Sequence, residues 1–180
     1  MEIVVLRLHH RITRDKRMSS HLALVARAFG AQKLVYSGEY DNRIEQTVTQ
    51  IVESWGGNFG VEYTQNERQF IKQWKKDGGI VVHLTMFGIE IDDVVDEIRK
   101  VDKDILVIVG GAKVEIEFYH LADFNIAIGH QPHSEVAALA ICLDKITNGK
   151  GRKRRYSDAR VEIEPCKKGK KVIDKRRKEK

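Results

Sequence analysis

Cysteine is scarce in this chain: Cys142 and Cys166 are the only two among 180 residues, and they lack CxxC spacing. That argues against a disulfide framework or a structural zinc site, and sets the expectation of a reducing, cytoplasmic setting with no signal peptide. Long apolar runs are missing too. None approaches the roughly 20 residues that span a bilayer, so no membrane partner is expected. No GxGxxG follows the first apolar run, and neither GxxxxGK[ST] nor GxSxG occurs. Nicotinamide, ATP and serine-hydrolase chemistry therefore have little to stand on.

What is present is charge, unevenly placed. Residues 1–30 carry six Lys/Arg against two acids, and residues 150–180 carry fifteen against five. Between them, residues 31–149 carry eleven against nineteen, so the net +6 conceals an acidic body with two basic ends. Such ends suit a polyanion laid across selected surfaces.

The 42% hydrophobic content allows one good core. Apolar runs at 3–6, 33–36, 59–63, 80–84, 105–109 and 124–128 predict strands. Helical patterns fall between them: 22–29 capped by Ser19 or Ser20, 44–52, one around Phe70 to Trp74, 91–101, and a short one near 114–120. The expected fold is α/β, an open, mostly parallel sheet with helices on both faces. Ser134 is expected to cap a last helix with a small-residue face of Ala137, Ala138 and Ala140. Composition shifts after Gly149. Residues 1–148 read as one domain and 149–180 as a short basic extension, with an exposed edge strand over 159–164 and a frayed end from Lys167 onward.

Three turns at strand ends carry more chemistry than a connection needs: Leu84 to Gly88, Gly110-Gly111-Ala112-Lys113-Val114, and Ile128-Gly129-His130-Gln131-Pro132-His133-Ser134-Glu135. Strand-end turns of open parallel sheets are where such folds bind ligands. Gly110-Gly111 lets a planar group approach the backbone, whose amides and carbonyls can read an adenine edge, between apolar walls of Leu84, Met86 and Ile128. His130 and His133 have metal-like spacing, but Pro132 interrupts them and no other ligands complete a shell. Hydrogen bonding within the loop is their expected work, and no metal is expected. Arg11, Arg14 and Arg17 follow the first strand at the same edge, where guanidinium forks suit phosphate.

These residues resemble the SPOUT-class RNA methyltransferases, and within them the archaeal tRNA cytidine-56 2′-O-methyltransferases. The resemblance runs from residue 3 to about 147. It rests on Leu6-Arg7-X-X-His10-Arg11-X-X-Arg14-Asp15-X-Arg17, on His21 to Ala31, on Val82 to Gly88, and on Gly129-X-Gln131-Pro132-His133-Ser134-Glu135 continuing to Ala140. The chain departs from the family pattern at His9, where glycine is usual, at Phe87 for tyrosine, at His130 for asparagine, and at Gly111-Ala112 for Ala-Glu.

The resemblance implies a C-terminal trefoil knot, a homodimer, and S-adenosylmethionine held by Leu84, Gly110 to Val114 and Ile128 to Glu135. It implies a tRNA ribose as methyl acceptor, with Arg17 as the central catalytic residue. A guanidinium is a poor base at neutral pH, so Arg17 is expected to act as an electrostatic clamp, with the proton leaving to water, a backbone group or His21. Arg11, Arg14, Arg152, Lys153, Arg154 and Arg155 are expected to position tRNA. The competing readings are a non-catalytic RNA-binding module with a degenerate cofactor cleft, and a nucleotide-binding oxidoreductase.

Overall fold

The computed structural model describes residues 1–15, 17–111 and 113–175. Six strands, β1 (Ile3–His10), β2 (Lys33–Gly38), β3 (Gly60–Tyr63), β4 (Ile80–Glu90), β5 (Ile105–Val109) and β6 (Phe124–Ala127), form one sheet in the order β3-β2-β1-β5-β4-β6, and every pairing is parallel. The helices between them are α1 (Met18–Ala28), α2 (Asn42–Trp55), α3 (Glu67–Lys76), α4 (Ile91–Lys100) and α5 (Ile116–Leu121), and α6 (Glu135–Ile146) follows β6.

Alternation along the strands divides the core in two. Ile3 and Val5 face a cluster with Leu22 and Ala26 of α1, Ile44 of α2, Val95 of α4 and Leu139 and Cys142 of α6. Val4, Leu6 and Leu8 face the other side, against Ile71 of α3 and Phe118 of α5. This is the period of two expected of a sheet covered on both faces, and each side chain so buried contributes about 1.5–3 kcal/mol. α1 and α6 pack together, and the small residues Ala23 and Ala26 of α1 are fully buried. On the opposite face, Arg68 reaches Glu117 at 2.7 Å and Lys75 reaches Asp123 at 2.7 Å, which ties α3 to the region of α5.

Four sequence expectations change. Ser19 and Ser20 do not cap α1: its N-cap is Arg17, without a side-chain cap bond, and the Ser19 hydroxyl is committed to His10 Nδ1 at 2.8 Å. A buried hydroxyl facing a buried imidazole satisfies both groups, and that outweighs a helix-end bond that water replaces. Leu84 to Gly88 is not a loop beyond the strand but part of β4. Leu84 and Ile89 both lie opposite Ile126, so the residues between them are extruded as a bulge. Gly88 is required there, since a Cβ would come 2.5 Å from the Asn125 carbonyl and the Ile126 nitrogen.

The third and fourth changes concern the tail. Val161–Ile163 (β7) is not a lone edge strand, and the segment after Lys167 is not frayed throughout, because Val172–Asp174 (β8) pairs antiparallel with β7. Residues 176–180 lie outside the described residues. The tail docks on the body: Arg160 N donates to Ser54 O at 3.0 Å, and Gly57 N donates to Asp158 at 3.0 Å. The Arg27 guanidinium lies 4.9 Å over the Tyr156 ring.

Candidate functional site: a cleft at the carboxyl ends of the strands

The three turns converge. A cleft of about 390 Å³ opens at the carboxyl ends of β4, β5 and β6, with Leu84, Gly110, Gly111 and Val114 on one side and Ile128 and Gly129 on another. Gln131, Pro132, His133, Ser134 and Glu135 complete the rim. The volume falls in the range of small-molecule sites, roughly 300–1,000 Å³. Gly110 lies against the Val114 side chain, where a Cβ would collide, so the turn is compact and keeps its backbone at the wall. Of the expected contacts, Lys113 and His130 are outside the lining and exposed, and Ala112 lies outside the described residues.

The polar loop is internally braced. His130 Nδ1 bonds Met86 O at 2.9 Å, and His133 Nε2 bonds Ile128 O at 2.6 Å. Gly129 N donates to Glu90 Oε2 at 2.9 Å, and Ser134 Oγ accepts from Val136 N at 3.2 Å, which caps α6. Among the described residues no group of three or more His, Cys, Asp or Glu side chains is arranged to hold a metal.

Sequence reasoning named Thr85 within the Leu84 to Gly88 turn but gave His83 and Tyr119 no role, and all three line the cleft. Asn125 Nδ2 donates to Tyr119 O at 2.9 Å, which turns Asn125 Oδ1 toward His83 Nδ1 at 2.9 Å, so that ring nitrogen carries the proton. Burial pushes His83 below the usual histidine range against the opposing pull of the Asn125 bond, and the ring is neutral at pH 7. The Tyr119 ring meets His83 edge-on at 4.7 Å, and its hydroxyl bonds Thr85 Oγ1 at 3.1 Å.

Arg14 lines this cleft and also a neighbouring cavity with Asp15, Arg17, Met18 and Glu135. Glu135 is common to both, so the two spaces adjoin. Behind that rim lies Arg7, 2% exposed and in the lining of neither space, 3.6 Å from Asp15 and 3.9 Å from Glu135. Its Nε and Nη1 atoms have no hydrogen-bond partner among the described residues. A buried guanidinium this thinly paired is costly, and the two nearby carboxylates offset part of that cost. A cation between Leu6 and Leu8, inside an apolar strand, was the signal in the sequence.

The loop carrying Arg11, Arg14 and Arg17 leaves β1 through His9, held at φ 54. Glycine enters that region without a Cβ penalty, so His9 holds a backbone conformation that side chains rarely adopt. Arg11, Arg14 and Arg17 are all exposed. Residues 152–155 lie elsewhere: Gly151 packs on Gly30 and Phe29, where α1 ends and the chain turns into β2. Within one chain the run is therefore separated from Arg17 by the 11 residues of α1, about 16 Å of helix. Arg152 is also ion-paired, to Asp144 at 2.6 Å.

The sequence profile of the family described as tRNA ribose 2′-O-methyltransferase, aTrm56, matches residues 55–173. A protein of Methanopyrus kandleri named tRNA (cytidine(56)-2′-O)-methyltransferase is 53% identical over 169 residues, covering 94% of each chain. One of the same name from Methanocaldococcus jannaschii is 53% identical over 175 residues, covering 96% of this chain and 97% of its own. Among solved structures, the A. aeolicus TrmH/SpoU tRNA modifying enzyme superposes with a TM-score of 0.59 at 20% identity, covering 87% of this chain and 80% of its own. The SpoU methyltransferase AviRb of Streptomyces viridochromogenes, in complex with AdoMet, superposes with a TM-score of 0.61 at 16% identity, over 83% of this chain and 58% of its own. These two likenesses establish the fold. With a matching profile over most of its length and near-full-length relatives at about half identity, this chain belongs to the tRNA ribose 2′-O-methyltransferase family.

Proposed function

We propose that the protein transfers the methyl group of S-adenosylmethionine to a ribose 2′-oxygen of tRNA, with cytidine 56 as the target borne in the names of its relatives. The observation that carries this reading is the sharing of Arg14 and Glu135 between the cleft and the cavity that holds Arg17. A donor in one space and an acceptor sugar in the other meet at that boundary, as transfer demands.

The cleft suits the donor. Leu84, Ile128 and Ala138 give apolar walls. The backbone of Gly110, Gly111 and the 128–135 turn offers amides and carbonyls to an adenine edge. Ala112, Lys113 and His130 complete the donor loops in this reading. When bound, the donor supplies an electrophilic methyl on a sulfonium sulfur. Arg17 stays charged at neutral pH and holds the ribose or its phosphate, lowering the energy of charge that develops on the oxygen. The hydroxyl proton leaves to water, a backbone group or His21.

Arg11, Arg14 and the run Arg152, Lys153, Arg154 and Arg155 bind tRNA phosphates in this reading. The distance of that run from its own Arg17 supports a homodimer in which each tail serves the partner's cleft. A trefoil-knotted path through α6 and a cytoplasmic setting complete the reading. No helix among the described residues is long and apolar enough to cross a membrane.

Transfer from labelled S-adenosylmethionine to an unmodified tRNA transcript, followed by mapping of the alkali-resistant linkage, tests the assignment. One resistant linkage after cytidine 56 is expected. Retained tRNA binding with no donor heat in calorimetry replaces it with the non-catalytic reading.

A further inference from the structure

Phe87 is 79% exposed, more than any other large apolar side chain among the described residues, yet it lines the donor cleft. A lone exposed aromatic is ordinary on a protein surface, but Met86 and Ile89 of the same bulged segment are exposed as well, so the ring belongs to an apolar group at the cleft mouth. The local construction holds it there. The register skip between Leu84 and Ile89 extrudes the ring, and both flanks are tied down. Phe87 N donates to Thr85 Oγ1 at 3.3 Å, whose oxygen also meets the Tyr119 hydroxyl at 3.1 Å. Met86 O accepts from His130 at 2.9 Å, and Gly88 is pressed on the Asn125–Ile126 backbone. A side chain with two torsions on a pinned backbone has little freedom left to lose on binding.

Resting on the function proposed above, we propose that Phe87 is a stacking platform for an unpaired tRNA base next to the methylated ribose. The same cleft carries Arg14, and the adjoining cavity carries Arg17. An exposed aromatic beside guanidinium groups matches how single-stranded nucleic acid is held, with bases on π faces and phosphates on cations. A purely apolar partner would leave those arginines opposite nothing.

The test compares wild type with Phe87→Ala, Phe87→Leu and Phe87→Trp, measuring affinity for unmodified tRNA transcript, donor affinity by calorimetry and mass by light scattering. Phe87→Ala is expected to weaken tRNA binding about 10-fold to 100-fold, with donor affinity changed far less and mass unchanged. Phe87→Trp restores binding and Phe87→Leu does not. Recovery by Leu would make the contact merely apolar, and a parallel loss of donor affinity would make Phe87 a wall of the donor site. A change in mass would assign it to a subunit contact, and an Ala variant that binds tRNA like wild type would end the proposal. Failure of the function itself reads separately, as wild type that binds tRNA without transferring methyl.

Discussion

The Nδ1 atom of His10 lies 2.8 Å from the Oγ atom of Ser19, and this contact closes the neck of the loop that carries Arg11, Arg14 and Arg17. Asp41 Oδ2 stands 3.4 Å from the other ring nitrogen, outside hydrogen-bonding alignment. Asp, His and Ser in this order invite comparison with a hydrolytic triad. Ser19 is 0% exposed, so no substrate reaches it, and its bond to His10 is a staple between β1 and α1. Asp41 is fully engaged elsewhere, accepting from Arg43 N at 3.1 Å and from the Arg43 side chain at 2.8 and 2.9 Å. That pairing holds its carboxyl below the usual range.

Ser19→Ala removes the staple and leaves a buried ring nitrogen unpaired, which costs about 1–3 kcal/mol. Denaturant unfolding reads that loss. Methyl transfer should slow through kcat, because the arginine loop loses its fixed neck, while donor affinity holds. An unchanged kcat in the destabilised variant would show that the loop positions itself without the staple.

Arg17→Ala should reduce methyl transfer about 100-fold or more, the scale of losing a donor aimed at developing charge. Donor affinity should stay close to wild type, since Arg17 lines the adjoining cavity and not the donor cleft. Arg17→Lys keeps the charge but loses the planar fork, and should recover only part of the rate. Calorimetry with the donor alone separates the outcomes: a large loss of heat would place Arg17 at the wrong ligand.

Much of this was legible in the sequence, and the exceptions share a cause. Ile105 to Val109 reads as a strand buried on both sides because every residue is apolar, and all five are buried. Ser134 caps α6 as its local pattern requires. The three turns stand out by their Gly, Pro and His content, and they meet because parallel strands bring their carboxyl ends to one edge. By contrast, the bulge in β4 depends on its register with β6, some 40 residues later. The commitment of Ser19 depends on His10 on another element. The surroundings of Arg7 and His83 are set by Asp15, Glu135 and Asn125, none of which is a neighbour in sequence. Local pattern shows which residues carry chemistry, and long-range pairing decides what that chemistry meets.

Replacing Arg152, Lys153, Arg154 and Arg155 with alanine should weaken tRNA binding and flatten its salt dependence, by about 0.7–0.9 in log–log slope for each phosphate that the protein no longer neutralises. Arg152 is already held by Asp144, so the other three should carry most of the change. The rate at saturating tRNA should change far less than the affinity, because in this reading the run holds tRNA phosphates and takes no part in the transfer step. Binding titrations from low to high salt check this. A slope equal to wild type would remove the tail from the RNA surface.

Alkali should loosen the fold from about pH 9 upward. Burial pushes the Cys142 thiol from 9.0 up to about 12, and the Tyr36 hydroxyl from 10.0 up to about 12, mainly by desolvation in each case. A group whose folded value is raised binds its proton more tightly in the folded chain. Its contribution is complete below the unfolded value and is lost as pH rises toward the folded one. Cys142 therefore erodes stability above pH 9 and Tyr36 above pH 10. Cys142→Ala should delay the onset to the tyrosine range, at the expense of a small cavity between α6 and the sheet. Thiol labelling gives an independent check at neutral pH. Cys166, which is exposed, should react at once, and Cys142, which is fully buried, only as the chain unfolds. Rapid labelling of both thiols in the native protein would mean that α6 opens far more readily than its packing allows.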